Sequence, residues 1–462
     1  MMGTALSRWT MSYFTAALVF LVAAQVLMVA GYGFPAVAAQ APETLVLVHM
    51  VTIGWLSLLM CGALFQFVPV LVARPLRWER LVLPALICLL AGLALLLAGF
   101  LQLAGVFETG ISLLALAGTL LPAGFLMVAG VLGASLWGGG LPLPARFVAV
   151  GLTCVLVTAL LGGLFALLLS GFLPALAEID FRTQALPVHI AMGLGGWLSF
   201  TALGVSYRLL PMFMLSPDRE RASSRAVWWG GVAALALTAL ASPIAALVEK
   251  AGLREATNQT PLLAVVFGMA CVIIYGFDLG FFYRHRKRRT IELNSRAAQG
   301  AFFALALSGL LLLALLETGT LERHLGALLY LVAFGWLTGL GLSQLYKIVP
   351  FLTWLECFGP VMGKKPTPRV QDLVMERRAW IWFALYFLGV LAGTEALLVD
   401  LPDLFRAAAV ATLLATLAIV VELVLARRLC NVPENNRLPE GALRPRLFLP
   451  RLPLNSDKWR PQ

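Results

Sequence analysis

Charged residues are scarce in this sequence, and their scarcity excludes a soluble protein. Only 12% of the 462 residues are charged and 60% are hydrophobic, whereas soluble domains average about 25% charged residues. Apolar runs recur along the whole chain, and several reach the roughly 20 residues that a helix needs to cross a bilayer. The composition therefore indicates an integral membrane protein with many spans.

Cysteine and histidine are equally sparse. The six cysteines stand singly, with no C-x-x-C pair, which argues against a disulfide framework, a zinc site and the covalent attachment of a c-type haem. The four histidines are His49, His189, His285 and His324. Any metal site that depends on imidazole ligands is limited to these four.

One motif occurs three times. Gly-Trp-Leu is centred on Trp55, Trp197 and Trp336, at spacings of 142 and 139 residues, and a proline follows each tryptophan by fourteen residues. A pattern held at a fixed period indicates an internal repeat. Twelve apolar segments fit this period, with the motif on the second, sixth and tenth. The predicted fold is therefore all-α and integral to the membrane, with twelve transmembrane helices in three pseudo-repeated four-helix arcs.

Two regions follow from this division. Residues 1–430 are predicted to form the twelve-helix membrane domain, with repeats at approximately 11–137, 145–283 and 297–428. Residues 431–462 are rich in proline and basic residues, which predicts an extended cytoplasmic tail, free or lying on the inner leaflet.

Loop charges predict the orientation. Loops after the even-numbered helices, with the adjoining helix ends, carry 20 Lys and Arg residues, whereas loops after the odd-numbered helices carry 5. The positive-inside rule then places both termini in the cytoplasm. Most of the net charge of +11 is thus explained by the membrane topology and by contact of the cytoplasmic loops with lipid headgroups. The basic cluster at 284–289 lies in a short loop between two spans, so the bilayer is the expected partner and nucleic acid is not.

Two histidines lie on the motif helices. His49 precedes Trp55 by six residues and His189 precedes Trp197 by eight, or about 9 and 12 Å at the helical rise of 1.5 Å per residue. Two histidines at nearly matching depth are either a packed, hydrogen-bonded pair or metal ligands. His324 precedes Trp336 by twelve residues and is predicted to lie in an interfacial loop.

The segment from His49 through Trp55 to Gly62-Ala-Leu-Phe-Gln-Phe-Val-Pro69 resembles the second transmembrane helix of the haem-copper oxidase superfamily. The stretches at 189–197, 205–213 and 345–352 are similar to a group described as cytochrome c oxidase subunit I-like or NnrS-like. The resemblance implies twelve helices in three arcs and a bacterial haem-binding protein of the inner membrane.

Departures from the superfamily limit this resemblance. Oxidases carry two haem-ligating histidines on the tenth helix and copper-ligating histidines on the sixth and seventh. The predicted tenth helix (326–354) and the seventh (226–248) contain no histidine. The sequence therefore predicts no copper-haem centre, and at most one haem or one metal ion held by histidines.

The expected cofactor is haem b, held by His49 and His189 together or by one of them. Tyr330, six residues before Trp336, occupies the repeat position of His49 and is a further candidate ligand or pocket donor, since tyrosine can ligate haem iron. Met50 and Met192 are weaker candidates, because methionine in such helices usually fills space.

Several functions remain open at this stage. The first is a haem protein of the nitric oxide or redox stress response, or of electron transfer with a redox partner protein, acting as sensor, carrier or oxidoreductase. The second is a transporter, although transporters usually have two halves rather than three arcs. The third is a non-catalytic subunit or assembly partner.

Overall fold

The computed structural model describes residues 9–138, 140–174, 181–250, 259–438, 442 and 445–450. Every regular element within these ranges is a helix, and twelve of them are long and apolar enough to cross a membrane, which confirms the predicted all-α, twelve-span fold. They are α1 (Thr10–Val29), α2 (Pro42–Val72), α3 (Glu79–Leu103), α4 (Leu113–Leu136), α5 (Leu143–Leu169), α6 (Phe181–Met214), α7 (Ala222–Ala241), α8 (Pro261–Arg284), α9 (Leu293–Glu317), α10 (Leu321–Val361), α11 (Glu376–Leu398) and α12 (Pro402–Arg427).

Local sequence signals set several helix starts. Proline stands in the first turn of α2 and α12, where the missing N–H costs no intrahelical hydrogen bond. Ser112 caps α4, and its Oγ accepts the backbone N–H of Ala115 at 3.3 Å, which satisfies one of the free donors of the first turn.

The three motif helices are the most buried. In the apolar 18-residue window of each span, 67% of the residues are buried in α2 and in α10, and 50% are buried in α6. In the other nine described spans this share is 44% or less. The motif segments of the three helices also contact one another. The motif therefore marks the centre of the helix bundle.

The outer helices pack largely between neighbours in the chain. The three most extensive contacts join α3 with α4, α7 with α8 and α11 with α12, which are the third and fourth helices of each predicted repeat. α1 also packs against α2 and α12. The grouping of all twelve helices into three superposable arcs stays a prediction.

The motif prolines end two of the three central helices. α2 and α6 stop three residues after Pro69 and Pro211, and the next residues, Ala73 and Leu215, adopt left-handed φ values of 50° and 52°. α10 instead continues past Pro350 to Val361. Pro350 therefore lies inside α10 rather than near its end.

Part of the predicted tail lies against the membrane domain. The Arg427 Nε donates to the carbonyl of Arg446 at 2.7 Å, and the Ser12 hydroxyl donates to the carbonyl of Phe448 at 2.8 Å. Residues 445–450 therefore connect the ends of α12 and α1. Most of the tail, including 451–462, lies outside the described residues.

Candidate functional site

The three motif tryptophans form a closed ring of hydrogen bonds. Each indole N–H donates to a hydroxyl of another motif helix: Trp55 to Thr338 at 2.9 Å, Trp197 to Ser57 at 3.0 Å, and Trp336 to Ser199 at 3.1 Å. Each accepting hydroxyl stands two residues after a motif tryptophan. We call these six side chains the tryptophan ring. It joins α2, α6 and α10 through equivalent residues of the three repeats.

The backbone is π-helical at the tryptophan ring. The three π-helical segments are Met50–Ser57, Ala191–Phe200 and Leu331–Thr338. π-helical turns are rare and frequently occur at functional sites. The hydroxyls of Ser57 and Thr338 each donate to the carbonyl five residues earlier, both at 2.8 Å, so each uses its donor within its own helix and accepts from a neighbouring tryptophan.

Glycine beside each tryptophan permits close packing of neighbouring side chains. A Cβ on Gly54 would lie 2.5 Å from the Phe20 ring, and one on Gly196 would lie 2.4 Å from the Cys154 sulfur. Both distances are shorter than side-chain contacts allow. The indole hydrogen bonds were not predicted from the sequence, although a serine or threonine two residues after each motif tryptophan could have indicated them.

His49 lies on the N-terminal side of the ring, in the last turn before the first π-helical segment. Its Nδ1 is 2.8 Å from the carbonyl oxygen of Leu45, and its imidazole lies beside the Phe100 ring, with centroids 5.2 Å apart. Because a carbonyl can only accept, Nδ1 carries the proton. The side chain is half-buried.

His189 has the same arrangement with a different helix. Its Nδ1 is 3.0 Å from the carbonyl oxygen of Thr158 on α5, and its imidazole packs edge-on against Phe165 at 5.5 Å. Gly162 provides space for the ring, because a Cβ there would lie 3.1 Å from the imidazole Cε1. This histidine is also half-buried.

The two histidines share a tautomer. With the proton fixed on Nδ1, each Nε2 keeps a free lone pair. A metal-ligating histidine typically donates its other N–H to a carbonyl or carboxylate in this way. Both imidazoles are therefore prepared as neutral ligands on the same side of the tryptophan ring.

Tyr330 points elsewhere. Its ring stacks on Phe334 at 4.9 Å and meets Phe405 of α12 edge-on at 5.4 Å, and its hydroxyl would lie 2.9 Å from a Cβ at Gly393 of α11. The hydroxyl is buried and has no hydrogen-bond partner. Its contacts within the described residues are thus with the third repeat, while those of His49 and His189 are with α3 and α5.

His324 corrects one predicted boundary. α10 begins at Leu321, so His324 lies in the first turn of the helix rather than in a loop. Its side chain is half-buried and its Nδ1 has no hydrogen-bond partner. It remains twelve residues before Trp336, farther from the ring than His49 or His189.

The described residues contain no group of three or more His, Cys, Asp or Glu side chains that could hold one metal ion. His49 and His189 offer two nitrogen ligands. Two imidazole nitrogens are a donor set that a haem iron can take from a protein.

Two buried carboxylates at the opposite end of the bundle from the histidines pair with arginines. Asp278 accepts from Arg221 at 2.7 Å, from Ser223 at 2.6 Å and from the Tyr207 hydroxyl at 2.9 Å. Glu422 similarly accepts two hydrogen bonds from the guanidinium of Arg378, at 2.5 and 2.7 Å. The first pair joins α8 to the residue that precedes α7, and the second pair joins α12 to the first turn of α11.

Lys347 is paired inside the protein. Its Nζ lies 2.5 Å from a carboxylate oxygen of Glu292, and both side chains are largely buried. Gln371 also donates to Glu292 at 2.5 Å. Lys347 thus joins a polar cluster inside the protein.

No known protein family matches this chain, and no curated protein is significantly similar to it. The resemblance to haem-copper oxidases therefore depends on the motif residues themselves.

Proposed function

We propose that this chain is a b-type haem protein of the bacterial inner membrane. It is related to haem-copper oxidases but has no copper-haem centre, and it serves electron transfer or the response to nitric oxide and redox stress. The observation that carries this proposal is the pair of half-buried imidazoles at His49 and His189, each with Nδ1 bonded to a carbonyl.

In this proposal His49 and His189 hold the iron through their Nε2 atoms. Bound haem would supply one-electron chemistry or an iron that binds a diatomic gas. The carbonyls of Leu45 and Thr158 orient the two imidazoles and keep them in the ligating tautomer, and such partners raise ligand basicity. The aromatic rings of Phe100 and Phe165 pack against the two imidazoles.

An absorption spectrum of the purified protein tests the proposal directly. The protein is expressed with a haem precursor, purified in detergent, and its spectra are recorded oxidised and reduced. We expect a Soret band, sharp reduced bands of a six-coordinate haem, and haem b in a pyridine extract. Protein that folds as a monodisperse species but contains no haem would contradict the proposal and favour the transporter or the non-catalytic subunit.

A further inference from the structure

A central cavity of about 90 Å³, open on part of its boundary, lies on the C-terminal side of the tryptophan ring. Its walls come from α2, α6 and α10, and they use equivalent residues of the three repeats. The residues one and five positions after each motif tryptophan all line it: Leu56, Leu198 and Leu337; Met60, Ala202 and Gly341. The residues eight and twelve positions after each tryptophan line it as well. The cavity is thus a product of the repeat.

Sequence spacing explains why these residues face one another. Offsets of one, five, eight and twelve advance by four, three and four residues, which keeps side chains on one face of a helix. Three such faces meet along a common line. At the second level Met60 is accompanied by the small residues Ala202 and Gly341. The Leu59 side chain fills the space beside Gly341, because a Cβ there would lie 2.6 Å from it, so Ala202 is the position at this level where a larger side chain would add volume.

The cavity is apolar. Of the twelve described residues at these offsets, Gln344 is the one polar side chain. Ser206 also lines the cavity, but its hydroxyl already bonds to the Leu203 carbonyl and to Tyr275, both at 2.6 Å. Apolar cavities of this kind stay dry and take up apolar solutes, since water needs two to four polar partners.

The tryptophan ring separates this cavity from the histidines. His49 and His189 precede the ring in the chain, whereas the cavity residues follow it. The three indole hydrogen bonds link all three helices at the level between the two. The cavity is therefore distinct from the proposed haem site.

We propose that the central cavity is a binding site for one small, uncharged, apolar molecule of the size of xenon or a diatomic gas. An apolar cavity of about 150 Å³ binds benzene or xenon, so a cavity of about 90 Å³ suits a smaller solute of about four non-hydrogen atoms or fewer. The site goes beyond the proposed function, because it uses neither histidine and needs no haem.

Xenon is the probe that tests this site. Purified full-length protein is equilibrated with xenon, binding is measured by xenon-129 NMR, and the atom is located by diffraction from crystals held under xenon pressure. We expect one saturable site, with xenon in contact with Met60 and Ala202. Wild-type protein that shows no saturable xenon site there would overturn the proposal, as would a cavity filled by a lipid or detergent chain.

Filling the cavity should abolish binding. Ala202→Leu adds three carbons at the level of Met60, and we expect the saturable xenon site to be lost. Ala63→Leu, at the level eight residues after Trp55, gives a second filled variant if the first does not fold. The matched control is Ala236→Leu on an exposed face of α7, which should bind xenon as wild type does. Undiminished binding in a folded, filled variant would overturn the proposal.

Discussion

Trp197 donates its indole N–H to the hydroxyl of Ser57, a residue 140 positions earlier in the chain, at 3.0 Å. Ser57 lies two residues after Trp55, and Trp55 in turn donates to Thr338 of the third repeat. Trp336 donates to Ser199, two residues after Trp197, and this third hydrogen bond closes the ring. The three motif helices are therefore joined to one another at a single level of the bundle.

Removing one hydroxyl of the ring should weaken the bundle measurably. Ser57→Ala leaves the buried Trp197 N–H without an acceptor. Hydrogen bonds between membrane helices contribute about 0.6 kcal/mol on average and at most about 1.7, and we expect a loss near the upper figure because both partners are buried. Unfolding in mixed micelles measures the change in free energy of unfolding.

A double-mutant cycle separates this bond from packing. Trp197→Phe combined with Ser57→Ala should cost less than the sum of the single variants, because both remove the same bond. Thr153→Ala is the matched control, since Thr153 is exposed and bonds only within α5, to the Ala149 carbonyl at 3.2 Å. Strict additivity of the two ring variants would contradict the assigned role of the bond.

Replacing either proposed haem ligand should change the haem spectrum. His49→Ala and His189→Ala each remove one axial ligand, so we expect loss of haem or a shift of the Soret band to that of a five-coordinate iron. Absorption spectra and haem content per protein are the measurements. A change in His49→Ala alone would identify His49 as the sole ligand.

The control for these variants is His285→Ala. His285 makes the same local contact, with its Nδ1 3.0 Å from the carbonyl of Phe281 four residues earlier, but it is exposed at the end of α8. Its replacement should leave haem content and spectrum unchanged. If both His49→Ala and His189→Ala retain the wild-type spectrum, the two imidazoles are packing residues and the proposed site is wrong.

Replacing Asp278 should destabilise the protein far more than replacing a surface acid. Asp278→Ala removes the hydrogen-bond acceptor of Arg221, Ser223 and Tyr207. Removing one partner of a buried ion pair lowers the free energy of unfolding by about 3–5 kcal/mol. We expect a loss of about 3 kcal/mol, at the lower end of that range, because the Arg221 side chain is 36% exposed. Unfolding in detergent measures it.

Asp218→Ala is the comparison. Asp218 pairs with Arg208, and both side chains are more than 40% exposed, so the expected loss is about 0–1 kcal/mol. Equal losses in the two variants would show that the Asp278 cluster is no more important than a surface pair.

Much of the fold could be predicted from the sequence, because a bilayer restricts a chain with long apolar runs to helices whose backbone groups are satisfied internally. The positions of Trp55, Trp197 and Trp336 on the second, sixth and tenth spans followed from their repeat. The tautomer of His189 could not be predicted from the sequence, because the hydrogen-bond partner of its Nδ1 is the Thr158 carbonyl on another helix. That contact depends on how α5 and α6 are rotated about their axes, which no local pattern encodes.

Both termini should lie in the cytoplasm. Basic residues prefer the cytoplasmic side of a membrane, and loops after even-numbered helices carry 20 of them against 5 after odd-numbered helices. A fluorescent protein that matures only in the cytoplasm, fused after Gln462, should therefore fluoresce, and alkaline phosphatase fused there should be inactive. The same reporters placed at Asp400, between α11 and α12, should give the opposite pair of results. Active phosphatase after Gln462 together with fluorescence at Asp400 would invert the predicted topology and place His49 and His189 nearer the cytoplasmic face.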